Sequence, residues 1–178
     1  MSTAPDPVVP TMAAHFTDLR GRRVIIGVPG VGFRHNLRAD NSIVQAGRTF
    51  VPVLTEQDYY RAELEQLEVF APLVPIDRVW VEDVRPLVVA LPTVLALDAP
   101  QVRQPTPVER AERVLGSRVA QSVPDGYVRD LRAVSDVYRD GRGTARIRIC
   151  SESDWYAWAS TGVTPSSTDT EAKGLWVE

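Results

Sequence analysis

The residues best suited to proton transfer in this chain are four acids in two matching runs, Thr55-Glu56-Gln57-Asp58 and Ser151-Glu152-Ser153-Asp154. Two neighbouring carboxylates can work as a general acid and a general base when their surroundings separate their proton affinities. The same runs carry a second meaning. A hydroxyl followed three positions later by an acid is a helix-capping pattern, in which the hydroxyl accepts the N3 amide and the acid reaches back. Acids in a first turn also complement the helix dipole. Capping explains the hydroxyl as well as the acids, so helices are expected to start near residues 56 and 152.

The other chemistry-bearing residues are sparse. His15 and His35 are the two histidines of the chain. His35 with Asp40 and Glu56 is the candidate constellation for a hydrolase, and a solvated loop histidine is the ordinary alternative. Neither G-x-S-x-G nor H-E-x-x-H occurs. The run GVPGVG is neither a dinucleotide fingerprint nor a phosphate loop, and it lacks the lysine that reaches a phosphate. It reads as a turn, with Gly30 and Gly32 free to take positive φ. Cys150 stands alone, so no intrachain disulfide forms and a cysteine-based zinc site is not expected. It reads as a small core residue. No catalytic residue, cofactor or metal is therefore assigned.

Binding residues are easier to name. Residues 129–148 carry Arg129, Arg132, Arg139, Arg142, Arg146 and Arg148 against three aspartates, with Tyr127 and Tyr138 beside them. Arginines with aromatics can follow a nucleic-acid backbone and stack on bases. The alternative is a wet sheet face with local ion pairs. Trp155 and Trp158 are three apart, so on a helix they share a face. An exposed tryptophan there would suit a protein interface. The candidate partner-binding residues are Trp155, Trp158, Arg129, Arg142, Arg146 and Arg148. Trp80 and Trp176 read as core anchors. Glu82 and Glu178 follow them closely and are expected to pair with Arg38 and Arg132.

These residues recur because the chain holds one unit twice. GRRVIIGVPGVGFRHNLRA (21–39) matches GSRVAQSVPDGYVRDLRA (116–133), and VPVLTEQDYYRA (51–62) matches IRICSESDWYAW (147–158). VWVE (79–82) meets LWVE (175–178), and Pro10-Thr11 meets Pro105-Thr106, all at an offset of about 95 residues. Such internal repeats set the architecture before any local reading.

Within each copy, residues 11–20 and 106–115 suit a short helix, the second capped by Thr106 with Pro107 at N1 and Glu109 at N3. Strands are expected at 24–28, 33–39, 49–54 and 79–81, with counterparts in the second copy. The first capped helix is expected to reach about residue 67 and the second about Ser160, with Gly162 as the stop. Residues 67–74 read as an edge strand carrying a proline. Their counterparts at 163–172 have lost the apolar residues and read as loop. Two apolar runs within 87–97 are expected to be extra strands that cover an edge or face of the first unit, or bridge the two units. The matching edge of the second unit would then be open to strand addition.

At 178 residues the chain is long enough to bury a core. The net charge of −3 argues against a strong whole-chain attraction to nucleic acid or acidic membranes. Only Lys173 among the 20 basic residues is a lysine, a bias of GC-rich genomes such as those of actinobacteria or their phages. The N-terminal stretch does not read as a signal peptide. No apolar run reaches the ~18–20 residues of a membrane span. A cytoplasmic or virion setting is expected.

The expected fold is therefore α+β, a tandem duplication of a small β-rich unit. Each unit carries one capped helix and resembles an SH3-like barrel in size and strand length. The organisation is an extended arm (1–10), a first unit (11–100, including the strands at 87–97) and a second unit (105–178). The expected function is a non-enzymatic interaction or structural module working through protein contacts or self-association, such as a phage head–tail component. The alternatives are a nucleic-acid-binding or regulatory protein using the arginine-rich face, and a hydrolase around His35.

Overall fold

The computed structural model describes residues 4–86 and 98–178. The chain forms two compact units. Among the described residues, one spans 8–86 and 98–102, and the other joins 4–7 to Arg103–Glu178. The apolar runs within 87–97 lie outside the described residues.

The first unit is a curled antiparallel sheet of β1 (Val8–Met12), β2 (Arg23–Val28), β3 (Gly32–Ala39), β4 (Ile43–Gln45), β5 (Arg48–Thr55), β6 (Leu73–Pro75) and β7 (Val79–Val84). Helix α1 (Glu56–Glu65) leaves β5 without a loop. The strand order is β1-β7-β2-β3-β5-β4, with β6 also on β5. The second unit repeats this plan with β8 (Thr106–Pro107), β9 (Arg118–Val123), β10 (Gly126–Ala133), β11 (Tyr138–Arg139), β12 (Ala145–Ser151), α2 (Glu152–Thr161), β13 (Thr168–Glu171) and β14 (Leu175–Val177). Its order is β8-β14-β9-β10-β12-β11, with β13 on β12. The protein is thus α+β with two similar halves, each a half-barrel sheet with one helix.

The curl has a local cause in both halves. The β2–β3 register slips between Val24 and Ile26, and the β9–β10 register slips between Val128 and Leu131. Asn36 (φ 59°) and Asp130 (φ 60°) sit at these slips. Asn and Asp tolerate the left-handed region better than other side chains do. A bulge there bends the strand and adds twist. The concave face then closes over matched apolar residues. Leu19, Val24, Ala39, Val51 and Val79 fill the first core, and Val114, Val119, Ala133, Ile147 and Leu175 fill the second.

Four local expectations are corrected. The lead-ins are strands followed by single 3-10 turns, Ala13–His15 and Val108–Arg110, rather than helices. β1 and β8 lie on the outer edges of β7 and β14, so their backbones serve the sheet, and Thr106 pairs with Val177 instead of capping. A helix of some ten residues without tertiary packing is marginal in water, and the edge wins. Residues 168–171 form β13 against β12 despite their polar character. Residues 67–72 are irregular, and strand β6 starts only at Leu73. Trp80 alternates with the buried Val79 and Val81, so it faces away from the core, edge-on to Phe33 and over Gly27.

Candidate functional site

The repeated acids divide into two jobs. Thr55 Oγ1 accepts the Asp58 amide at 3.1 Å, and Ser151 Oγ accepts the Asp154 amide at 3.0 Å. These are N-caps, and they fix where each helix begins. Glu56 and Glu152, at the first helical position, point the other way and are buried.

Each buried glutamate meets two arginines from the adjoining strands. Glu56 lies 3.5 Å from Arg23 Nε on β2 and 3.6 Å from Arg38 Nε on β3. Glu152 lies 3.4 Å from Arg118 Nε and 2.9 Å from Arg132 Nη2. Arg38 also donates to the Gly21 carbonyl at 2.8 Å and to the Tyr60 hydroxyl at 3.0 Å. Arg132 repeats this with Gly116 at 2.9 Å and Tyr156 at 3.1 Å. The guanidinium groups also lie within cation–π range of Tyr60 and Tyr156. One acid, two arginines, a phenol and a carbonyl thus tie the start of each helix to two strands and to the turn that precedes them.

The chemistry of this node is that of a clasp. The glutamates are fully buried and the arginines nearly so, while Tyr60 and Tyr156 are half-buried. Buried pairs of this kind repay their desolvation only when their hydrogen bonds are complete, and their attested use is to specify one geometry. Sequence reading found the members separately, as repeated arginines and as capping acids. The signal that joins them is that all of Arg23/Arg118, Arg38/Arg132, Glu56/Glu152 and Tyr60/Tyr156 recur.

The remaining candidates scatter. His35 is exposed, within the exposed run 31–36, and Glu56 is committed to its arginines. Arg38 and Arg132 pair with Glu56 and Glu152, whereas Glu178 meets Arg129. Arg129 also donates to the Asp6 carbonyl at 3.4 Å. Arg146 pairs with Asp169 at 2.9 Å, and Asp169 accepts from Tyr138 at 2.7 Å. The hydrogen bonds from Tyr138 and Arg146 hold the Asp169 carboxyl below its usual range. Arg142 and Arg148 are exposed. Trp155 and Trp158 are half-buried and stack edge to face at 5.3 Å, with Trp155 lying over Gly116. Cys150 is buried, and burial, aided by the Asp154 carboxylate, pushes its thiol up to about 11.

A different feature was not legible as a site. A cleft of about 700 Å³ in the first unit is lined by Leu54, Tyr59, Ala62, Leu67 and Val69, with Arg20, Asp40 and Glu63 at polar positions. Beside it, Leu64 (61% exposed), Phe70 (87%) and Leu73 (39%) are open to solvent. At an offset of 96 the second copy places Pro165 for Val69, Ser166 for Phe70 and Asp169 for Leu73. The signal was present in that asymmetry, because a solvated loop has no reason to keep Leu67, Val69 and Phe70.

Comparison of the chain with family models, curated proteins and solved structures found no match. Among the described residues no helix is long and apolar enough to cross a membrane.

Proposed function

We propose that this chain is a non-enzymatic interaction module that works through protein–protein contacts. The apolar face at 64–73 carries the reading. Contiguous exposed apolar residues beside a cleft mark interaction sites in soluble folds, and a side chain as exposed as Phe70 gains only when a partner covers it. The four repeated acids are spent on caps and clasps, which supports the same reading. A structural assembly, such as a phage head–tail connection, is the setting proposed, because repeated half-barrels with one unequal face suit a component that joins others.

Light scattering of the full chain over a concentration series, at low and high salt, tests this. The mass should rise with concentration at both salts, since apolar contacts are not screened. Phe70→Asp should hold the protein as a monomer with an unchanged far-UV spectrum. A wild-type protein that stays monomeric, or an assembly that Phe70→Asp leaves intact, removes the support. Of the arginines needed for a nucleic-acid face, Arg129 and Arg146 are already engaged by acids.

A further inference from the structure

Two short segments belong to the unit they do not lead into. Residues 4–7 continue directly into β1, yet they group with the second unit, and the first unit begins at Val8. Residues 98–102 lead toward β8, yet they group with the first unit. The repeat relates the two segments, since Ala4-Pro5 matches Ala99-Pro100 at an offset of 95. Pro5 and Pro100 are both buried. In the first unit, Asp98 and Ala99 share a pocket with Thr11, His15 and Trp80. In the second, the Asp6 carbonyl is held by Arg129. Each half therefore keeps the lead-in of the other.

We propose that the seat for residues 4–7 on the second unit is an exchangeable docking site, and that its partner is a second copy of this chain, whose own residues 4–7 fill it. The ion pair that orients the seat uses no residue of the arm. Arg129 Nη1 pairs with the Glu178 carboxylate, whose side chain is 3% exposed, and this leaves Nη2 directed at the arm. The arm brings two buried proline rings and a carbonyl, and a proline-containing strand loses little entropy on being held extended. Pro7 and Val8 are consecutive residues assigned to different units. A short hinge of this kind invites exchange between copies. In a single chain the arm's effective concentration is on the order of millimolar. Exchange therefore appears after refolding at high concentration and is slow to reverse on dilution. None of this depends on the apolar face.

The test uses the full chain carrying Phe70→Asp, so that association through 64–73 is out of play. An arm-defective copy carries Pro5→Ser and Pro7→Ser. A seat-defective copy carries Arg129→Lys, which keeps a charge for Glu178 but loses the fork that also reaches Asp6. Each is unfolded and refolded at high concentration, alone and mixed, then diluted and weighed by light scattering. The parent should leave a dimer fraction, each defective copy alone should lose it, and the mixture should regain it, because it supplies one intact arm and one intact seat. A dye-labelled peptide of residues 4–9 should bind the folded arm-defective copy, and adding Arg129→Lys should weaken it about tenfold. A mixture that stays monomeric, or a peptide that binds both folded copies equally, overturns the proposal.

Discussion

At the scale of single residues, the molecule spends its best chemistry on holding itself together. Glu56 and Glu152 are completely enclosed, each between two arginines. Removing one partner of such a set leaves uncompensated buried charge, which costs about 3–5 kcal/mol. Glu56→Gln and Glu152→Gln should each destabilise by that amount in urea unfolding. A loss under 1 kcal/mol would mean that the arginines find other partners at no cost. The capping hydroxyls were plain in the sequence because a cap needs only local spacing. The burial of the neighbouring glutamates was not, since it depends on strands that lie 33 and 18 positions upstream of Glu56 in the chain, at Arg23 and Arg38.

At the scale of elements, the two halves solve one turn with different atoms. Asn41 Oδ1 accepts the Leu19 and Arg20 amides, and Asp136 Oδ1 accepts the Val114 and Leu115 amides. The Leu115 and then the Val114 amide hold the Asp136 carboxyl below its usual range, with a smaller contribution from Arg113. A carboxyl lowered by folding adds stability above its ordinary pKa and loses it as pH falls through the lowered value. Asp136→Asn keeps the acceptor and removes the titration, as Asn41 already does. The variant should match the parent near neutral pH or fall slightly below it, and should lose less stability on acidification. Parallel acid limbs in urea titrations at several pH values would show that the tie does not matter. The strands flanking these turns were legible from their apolar alternation. The lead-ins were misread as helices because Thr, Pro and Glu at capping spacing also suit an edge strand, and only β7 and β14 decide between them.

At the scale of the whole molecule, the duplication was legible because turns, caps and core positions must be repaid in kind by each half. The unequal parts were harder to read, since Phe70 and Ser166 follow the same helix end with opposite character. Each half has its own core. Leu19 is 1% exposed in the first, and Leu19→Ala should cost about 2–5 kcal/mol there. In a Trp80→Phe background the fluorescence reports Trp155, Trp158 and Trp176 alone. Leu19→Ala should leave that fluorescence midpoint in place while an earlier step appears in the far-UV signal. A joint shift of both signals would show one cooperative unit instead of two.

The distance along the chain between Asp6 and Arg129 has a consequence for biosynthesis. The arm is made 123 positions before the residue that receives it. At ~5–20 residues per second a ribosome needs on the order of ten seconds to bridge that interval. Meanwhile Val8–Val102 can complete its own fold with the arm still unclaimed. On a polysome, the chain released ahead carries a finished seat while the chain behind it carries a waiting arm. For the exchange proposed above, the order in which residues leave the ribosome gives two copies an occasion to meet before the chain behind has closed on itself.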